Sequence, residues 1–514
     1  MPACREPSLI GPGEFLFLCE RGSLRDHSWD GPEREKLWRY SQHYFDDLNA
    51  AGAADRVAWH VELLEDWVRH NPPAVGNGWE PYPTSLRIVN WIKWALAGNT
   101  LPEACIQSLA VQARWLSKRL EVHLLGNHLF ANAKALVFAG LYFGGDEADG
   151  WLRTGLRILA REVPAQILPD GGQFERSTMY HTLALEDMLD LCNLGAGCPE
   201  LLSEAGRKQL ASWRQCVPKM LKWLHAMCHS DGEISLFNDA AIGIAPSVIE
   251  LNAYAARLGF DIRSASVPAR SQATTTDRTA FVSAVHLRES GYIRLENRDA
   301  VVLLDVAPVG PDYLPGHAHA DTLSFEISLF GHRLLVNSGT SCYGTSSERL
   351  RQRGTAAHNT IVVDGQNSSE VWGGFRVARR ARPFGLTIGS LETLPLEVHC
   401  AHDGYRRLQG RPVHERLWRL SGCELVIEDQ VLGAFTTAEA RFHLHPQVQV
   451  TIDDDGSHGE IILPGDQKVA WWAEFGPAKL EPSTYHPRFG VSQANQCLVL
   501  RLQEGKARLR LAWS

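Results

Sequence analysis

The feature that most constrains the fold of this 514-residue chain is a change of hydrophobic period near its middle. In the first half apolar residues recur at helical spacing. Val57, Val61, Leu64 and Val68 fall on one face of Arg56–His70, with Glu62, Glu65 and Asp66 elsewhere. Leu86, Val89, Ile92 and Leu96 do the same over Ser85–Ala97. The same spacing predicts helices over Ala104–Arg119, His128–Phe143, Trp151–Glu162, Leu183–Leu194, Ala205–Met227 and Ser247–Leu258. Breakers such as Pro169-Asp170-Gly171-Gly172 and Asp231-Gly232 separate them. Successive helices with no strand between them predict antiparallel hairpins side by side, which fits an incomplete α/α toroid and, on periodicity alone, a bundle equally well.

Residues 263–278 are rich in Ser, Thr and Ala, poor in large apolar side chains, and read as a linker. Beyond them the period drops to two. Short strands are predicted over Tyr292–Leu295, Ala300–Val306, Leu323–Leu329, Arg333–Asn337, Thr360–Asp364, Arg416–Leu420, Glu424–Asp429, Ala440–His445 and Cys497–Leu502. The expectation is an α+β multidomain chain, with an N-terminal extension over 1–35, a helical toroid over 36–262, the linker, and an antiparallel β-sandwich over 279–514.

Composition narrows the function classes. A net charge of −8 gives no general attraction to nucleic acid or anionic membranes. No apolar run is long enough to span a bilayer. The 11 cysteines are odd in number and contain no Cys-x-x-Cys pair, which argues against a disulfide framework and a thiolate zinc cluster. The 16 tryptophans are expected mainly in the core, although exposed indoles stack on sugar rings. The start lacks a basic leader, a long apolar stretch and a small-residue cleavage site. That predicts a cytoplasmic chain, or a periplasmic or secreted one if a signal was removed. No organic cofactor is expected, and nothing fixes an oligomeric state.

Four polar clusters could carry chemistry. Gly126-Asn127-His128 opens a predicted helix, where Asn127 can serve as N-cap or, with His128, clamp a carboxylate. Asp170-Gly-Gly-Gln-Phe-Glu175-Arg176-Ser177-Thr-Met-Tyr180-His181 crowds polar groups before an apolar helix; a tyrosine beside an arginine can have a lowered pKa and act as acid and base. In Pro315-Gly316-His317-Ala318-His319-Ala320-Asp321, alternate histidines on an extended segment face one way and, with a following carboxylate, make a metal-ligand pattern. His358, in Ala357-His358-Asn359, offers a distant third imidazole. Arg349, Arg351 and Arg353 alternate on what reads as an extended loop, followed by Arg376, Arg379, Arg380 and Arg382, a set that could clamp sulfates or carboxylates or form a solvated edge.

Five ordered blocks, GNHLFANAKALVFAG near 126, DGGQFERSTMYH near 170, GHAHADTLSFEISLFG near 316, VNSGT near 336 and AAHNTIVVDG near 356, resemble the heparinase II/III family of polysaccharide lyases. The resemblance implies an α/α toroid followed by a β-sandwich, and β-elimination on an anionic, uronate-containing polysaccharide. Asn127 and His128 match the positions that hold the uronate carboxylate. Tyr180 matches the general acid, and for one epimer also the base, and His317 the base for the other epimer. Arg87, Glu175, Arg176, Arg349 and Arg353 are the expected substrate-binding residues. His319, Asn337 and His358 fall where relatives place His, Asp and His around a structural zinc. Here an amide replaces the carboxylate, a poorer ligand, with Asp321 as a possible substitute. Ala131 stands where relatives often have Glu, three residues after the histidine. Two other readings compete: a glycoside hydrolase using two of Asp170, Glu175, Asp231 and Asp239, and a non-catalytic exopolysaccharide-binding or assembly protein.

Overall fold

The computed structural model describes residues 2–262 and 282–514; the predicted linker 263–278 lies outside the described residues. Each predicted helix forms, with shifted ends: Val57–His70, Pro81–Leu96, Glu103–Leu116, Gly126–Tyr142, Asp146–Gln166, Thr178–Gly197, Glu204–Ala226 and Val248–Arg257. A further helix, Lys36–Tyr44, was not anticipated from periodicity. The N-terminal extension is itself folded. Leu9–Gly11, Glu14–Phe17 and Glu20–Ser23 form a three-stranded sheet, and Phe17 packs edge-on against the buried Trp38.

The helical part is the incomplete α/α toroid. Its most enclosed element is Gly126–Tyr142, in which 14 residues are buried. A helix buried all round needs small side chains, and this one is rich in alanine. Its antiparallel neighbour Asp146–Gln166 approaches closely through two glycines. A Cβ on Gly140 would sit 2.7 Å from the backbone N of Leu152, and one on Gly155 would sit 2.6 Å from the carbonyl of Ala133. Tryptophans serve the core, as expected: Trp38, Trp67, Trp91, Trp94, Trp223, Trp418 and Trp471 are among the largest fully buried side chains.

The sheets of the C-terminal part are antiparallel. One eight-stranded sheet runs in the order 383–388, 396–402, 413–420, 424–432, 506–513, 468–474, 458–462, 449–450. Val413–Leu420 and Lys506–Trp513 alternate between buried and solvated positions, as a half-covered sheet requires. A four-stranded sheet has the order 478–485, 493–501, 438–443, 361–363, and a five-stranded meander covers 282–335. Ile293, Leu295, Val302 and Ile327 of the meander share one core with Ile361, Phe442, Trp418, Ile427 and Leu511 of the other two sheets. On its other face, Tyr292, Val301 and Leu303 pack with Trp223, Met227 and Phe237. Covered on both sides, Tyr292–Asn297 and Ala300–Asp305 are buried at every position; Ala300–Asp305 is accordingly a continuous apolar run, and Tyr292–Asn297 pairs its buried Arg294 with Glu296 at 2.7 Å.

That second face changes the expected domain boundary. The chain divides into two compact units, one of residues 2–171, 182–221 and 243–262, the other of 172–181, 222–242 and 282–514. The β-rich unit thus recruits two segments from the helical half of the sequence, one of which contains the Glu175–Tyr180 motif.

The glycine contact gives a paired test. Gly155→Val should cost about 1–3 kcal/mol through overpacking, whereas Gly150→Ala, whose Cβ would meet only the tip of Arg153 at 3.9 Å, should be neutral or stabilising by up to about 1 kcal/mol. Urea unfolding of the two variants reads both, and equal midpoints would contradict the close approach.

Candidate active site

In the helical unit, Leu125 and Gly126 both take positive φ, 58° and 53°, and turn the chain into the helix Gly126–Tyr142. Leu125 is the N-cap and supplies no side-chain acceptor. Asn127 therefore lies within the first turn, not at the cap position expected from the sequence. Its amide is partly exposed and has no hydrogen-bond partner among the described residues. Uncapped first-turn N–H groups and a free carboxamide favour an anion there. His128, with a side chain 33% exposed, bonds through Nδ1 to Glu121 Oε1 at 3.0 Å, and the Tyr82 ring lies 4.5 Å from its own. Nε2 is the nitrogen left for a ligand.

In the β-rich unit, Tyr180 lies in the first turn of Thr178–Gly197. Its ring stacks on that of His317 with centroids 3.9 Å apart and planes 18° from parallel. Its hydroxyl shares a 2.9 Å hydrogen bond with the hydroxyl of Tyr343. His317 Nδ1 is bonded to Glu175 Oε2. The other Glu175 oxygen accepts from Gln173 Nε2 at 3.1 Å, and Glu175 N donates to Gln173 Oε1 at 2.9 Å. A buried carboxylate held on both oxygens orients the imidazole, leaving Nε2 as its reactive nitrogen. Burial, reinforced by Tyr343, Asp239 and Glu175, pushes the Tyr180 phenol well above its ordinary value. The lowered pKa expected from Arg176 does not occur, because that guanidinium donates Nε to the carbonyl of Ser290 and Nη1 to that of Phe174. Tyr180 thus keeps its hydroxyl proton at neutral pH.

The five expected substrate-binding residues are all buried and engage the scaffold. Glu175 positions His317. Arg176, at φ 62°, has its own carbonyl pinned by Tyr292 Oη at 2.7 Å and Asn238 Nδ2 at 3.0 Å. Arg87 lies over Trp67 at 3.8 Å and donates to Gln112 and to the carbonyl of His43. Arg349 and Arg353 are not on an extended loop but four apart on the helix Ser347–Arg353, so both turn inward while Arg351 pairs outward with Glu348. Arg349 grips Asp239 with both terminal nitrogens, one at 2.6 Å. Arg353 clasps the carbonyls on either side of His317, at Gly316 (3.5 Å) and Ala318 (3.0 Å).

His317 and His319 do not address one site. The segment 315–321 is irregular, and His319 turns to Asp239 Oδ1 (2.8 Å, through Nε2) and to His358 (3.3 Å, Nδ1 to Nε2). The expected zinc set fails to converge. Asn337 Oδ1 lies 3.2 Å from Nδ1 of His358, the nitrogen that faces away from His319, and Asn337 Nδ2 is buried without a partner. Asp321 does not substitute, since its carboxylate accepts from the backbone N of Asn238 at 3.3 Å. Among the described residues, the one group of three or more His, Cys, Asp or Glu donors is the surface trio Asp453, Asp455 and His458. The residues present do not close around an ion, and no step below uses one.

Three of the four carboxylates considered for hydrolysis are held by scaffold partners. Asp239 is fully buried between Arg349 and His319, Glu175 is committed to His317 and Gln173, and Asp231 pairs with Arg333 at 2.7 Å. Sequence reasoning missed Glu121, Gln173, Tyr343 and the role of Asp239. Tyr343 had a signal, an aromatic six residues past Asn337 in an otherwise polar loop. Glu121 had none, lying in a short loop with no motif.

Two measurements test this geometry. Burial opposes the charge of Asp239, but Arg349 and then His319 outweigh it and hold the carboxyl far below its usual range. Asp239→Asn leaves Arg349 buried and unpaired and should cost about 3–5 kcal/mol, read by denaturant unfolding; a loss below about 1 kcal/mol would show the pair to be incidental. For Tyr180, a raised pKa means the neutral phenol persists above its ordinary value near pH 10. The difference between ultraviolet titrations of the unmodified protein and Tyr180→Phe should show no phenolate below about pH 10, and a transition near neutrality would contradict the site.

The heparinase II/III N-terminus profile matches residues 44–257, and the heparinase II/III-like C-terminal profile matches residues 282–513. A heparin-sulfate lyase of Bacteroides stercoris is 25% identical over 270 residues, covering 48% of this chain and only 38% of that protein. FtsZ-localized protein C of Caulobacter vibrioides is 24% identical over 512 residues, covering 92% of this chain and 81% of its own. Among solved structures, heparinase III superposes with a TM-score of 0.70 at 19% identity, over 93% of this chain and 76% of that one. That likeness carries the fold, a helical toroid followed by antiparallel sheets. With both halves matched in order, this chain belongs to the heparinase II/III family.

Proposed function

We propose that the protein is a polysaccharide lyase that cleaves a uronate-containing glycan by β-elimination. The observation that carries this reading is the stacked pair Tyr180–His317, with Glu175 behind the imidazole and Tyr343 on the phenol. It puts a proton acceptor and a proton donor side by side, while Glu175, Asp231 and Asp239 are engaged by His317, Arg333 and Arg349. His317 Nε2 takes the C5 hydrogen, the C5–H electron pair forms the C4=C5 double bond, and the C4–O bond breaks. The departing oxygen takes its proton from Tyr180. Asn127 and His128 are assigned the uronate carboxylate, whose neutralisation acidifies the C5 hydrogen as enolate-like charge grows. For the opposite epimer at C5, Tyr180 takes the base role as well.

The substrate class is an anionic glycan of the glycosaminoglycan or alginate type, and relatives named heparin-sulfate lyases favour the former. A second reading has an observation of its own. The match to FtsZ-localized protein C spans 81% of that protein, more than the spans over the heparin-sulfate lyases, and a relative named for its localisation rather than for lysis keeps an assembly role as the second reading.

Heparan sulfate, hyaluronan, chondroitin sulfate and alginate, screened for the absorbing unsaturated product, separate the two. The lyase reading expects turnover of at least one polymer, and loss of about 100-fold or more in Tyr180→Phe and in His317→Ala with unchanged melting temperatures. His317→Ala should harm one uronate epimer more than the other, and equal loss on both would remove the two-base scheme. Turnover that is absent throughout, or unchanged in Tyr180→Phe, would support the assembly role instead.

A further inference from the structure

His128 sits between Glu121 and whatever ligand its second nitrogen meets, and Glu121 is built as a fixed support. Glu121 is 7% exposed. Its backbone N–H donates to Asn132 Oδ1 at 2.8 Å, and Asn132 Nδ2 donates back to Glu121 Oε2 at 3.0 Å. Asn132 is fully buried and its Nδ2 also reaches Ser85 Oγ at 3.0 Å. One carboxylate oxygen is thereby held by the amide, and the other is aimed at His128 Nδ1. On the helix itself, the position one turn after His128 is Ala131, 5% exposed, whose methyl group cannot reach the ring. The partner for this imidazole therefore arrives from the preceding loop.

We infer that Glu121 is the positioning residue of His128, holding its Nδ1–H so that Nε2 is presented to the uronate carboxylate; this rests on the lyase reading above. The chemistry follows from the donor count. A carboxylate accepts and cannot donate, so the bond to Glu121 places a hydrogen on Nδ1. A second carboxylate at Nε2 is bonded only if that nitrogen carries hydrogen too. The ring clamped between two carboxylates is then the imidazolium, a cation placed where negative charge builds during C5 deprotonation. Without Glu121 the ring can turn over or adopt the Nε2–H tautomer alone, which meets the substrate as a neutral donor of free orientation.

The test is a double-mutant cycle with an independent spectroscopic arm. Glu121→Gln keeps the shape and the bond to Asn132 but removes the charge. It should lower kcat/KM about 10- to 100-fold on whichever polymer of the panel is turned over, with most of the loss in kcat. In the His128→Ala background the same change should have less than about a twofold effect, because the groups act as a unit. Equal losses in both backgrounds would mean that Glu121 is merely structural and overturn the inference. In the free protein, nitrogen-15 spectra of the His128 ring, identified by its loss in His128→Ala, should lack the Nε2–H tautomer and gain it in Glu121→Gln. Finding that tautomer equally in both also overturns the inference. The spectroscopic arm needs no turnover, so a panel without any product would end the lyase reading while the tautomer comparison still decides the role of Glu121.

Discussion

Asp239 is the residue on which the β-rich unit's polar architecture depends. Its carboxylate holds both Arg349 and His319. Its backbone N–H donates to the carbonyl of His317 at 3.0 Å, and its carbonyl accepts from Ser177 Oγ, three residues before Tyr180. One residue thus ties the segment that carries Tyr180, the segment that carries His317, and the short helix whose Arg353 clasps the 316–318 loop. A buried ion pair of this kind is weak as a source of net stability, because desolvation offsets much of the attraction. Its value is geometric. With every donor on Arg349 and both oxygens of Asp239 directed, the three segments have one register.

The same logic accounts for the arginines. In sequence, Arg349, Arg351 and Arg353 alternate and look like a clamp for anions. In the fold they lie on a single helical stretch, where positions four apart share a face, and that face is interior. An interior guanidinium must find acceptors for up to five N–H groups. The Asp239 carboxylate and the carbonyls of Gly316, Ala318, Gly373 and Gly374 supply them. Arg349 and Arg353 brace the scaffold around the 316–318 loop, and Glu175 orients the His317 ring. A charged side chain near a motif is an equally good strut or ligand until its partners are known.

Much of the fold was legible. All eight anticipated helices form, and the switch to strands falls where the period changes. Several strands went unseen, among them Leu396–His402, Lys468–Glu474, Ala478–Tyr485 and Lys506–Trp513. Leu396–His402 and Lys506–Trp513 do carry the period-two alternation of a half-buried strand, whereas 469–473 is a continuous apolar run that periodicity alone leaves ambiguous. The site was partly legible. Tyr180 and His317 come together as the motifs implied, whereas the three expected zinc ligands do not converge, since Asn337 meets the outer nitrogen of His358.

What the sequence by itself determined is local: the order of helices and strands, and the four polar motifs at their ends. These rest on periods of 3.6 and 2 residues, which act between near neighbours along the chain. What only the tertiary structure decided is partnership. Glu175 meets His317 across 142 residues and Arg349 meets Asp239 across 110. No local pattern encodes such a pair, because each member satisfies its own segment's rules whether or not the other arrives. Only packing, by removing water from both, makes the pairing necessary and so separates the residues positioned for chemistry from those that hold them there.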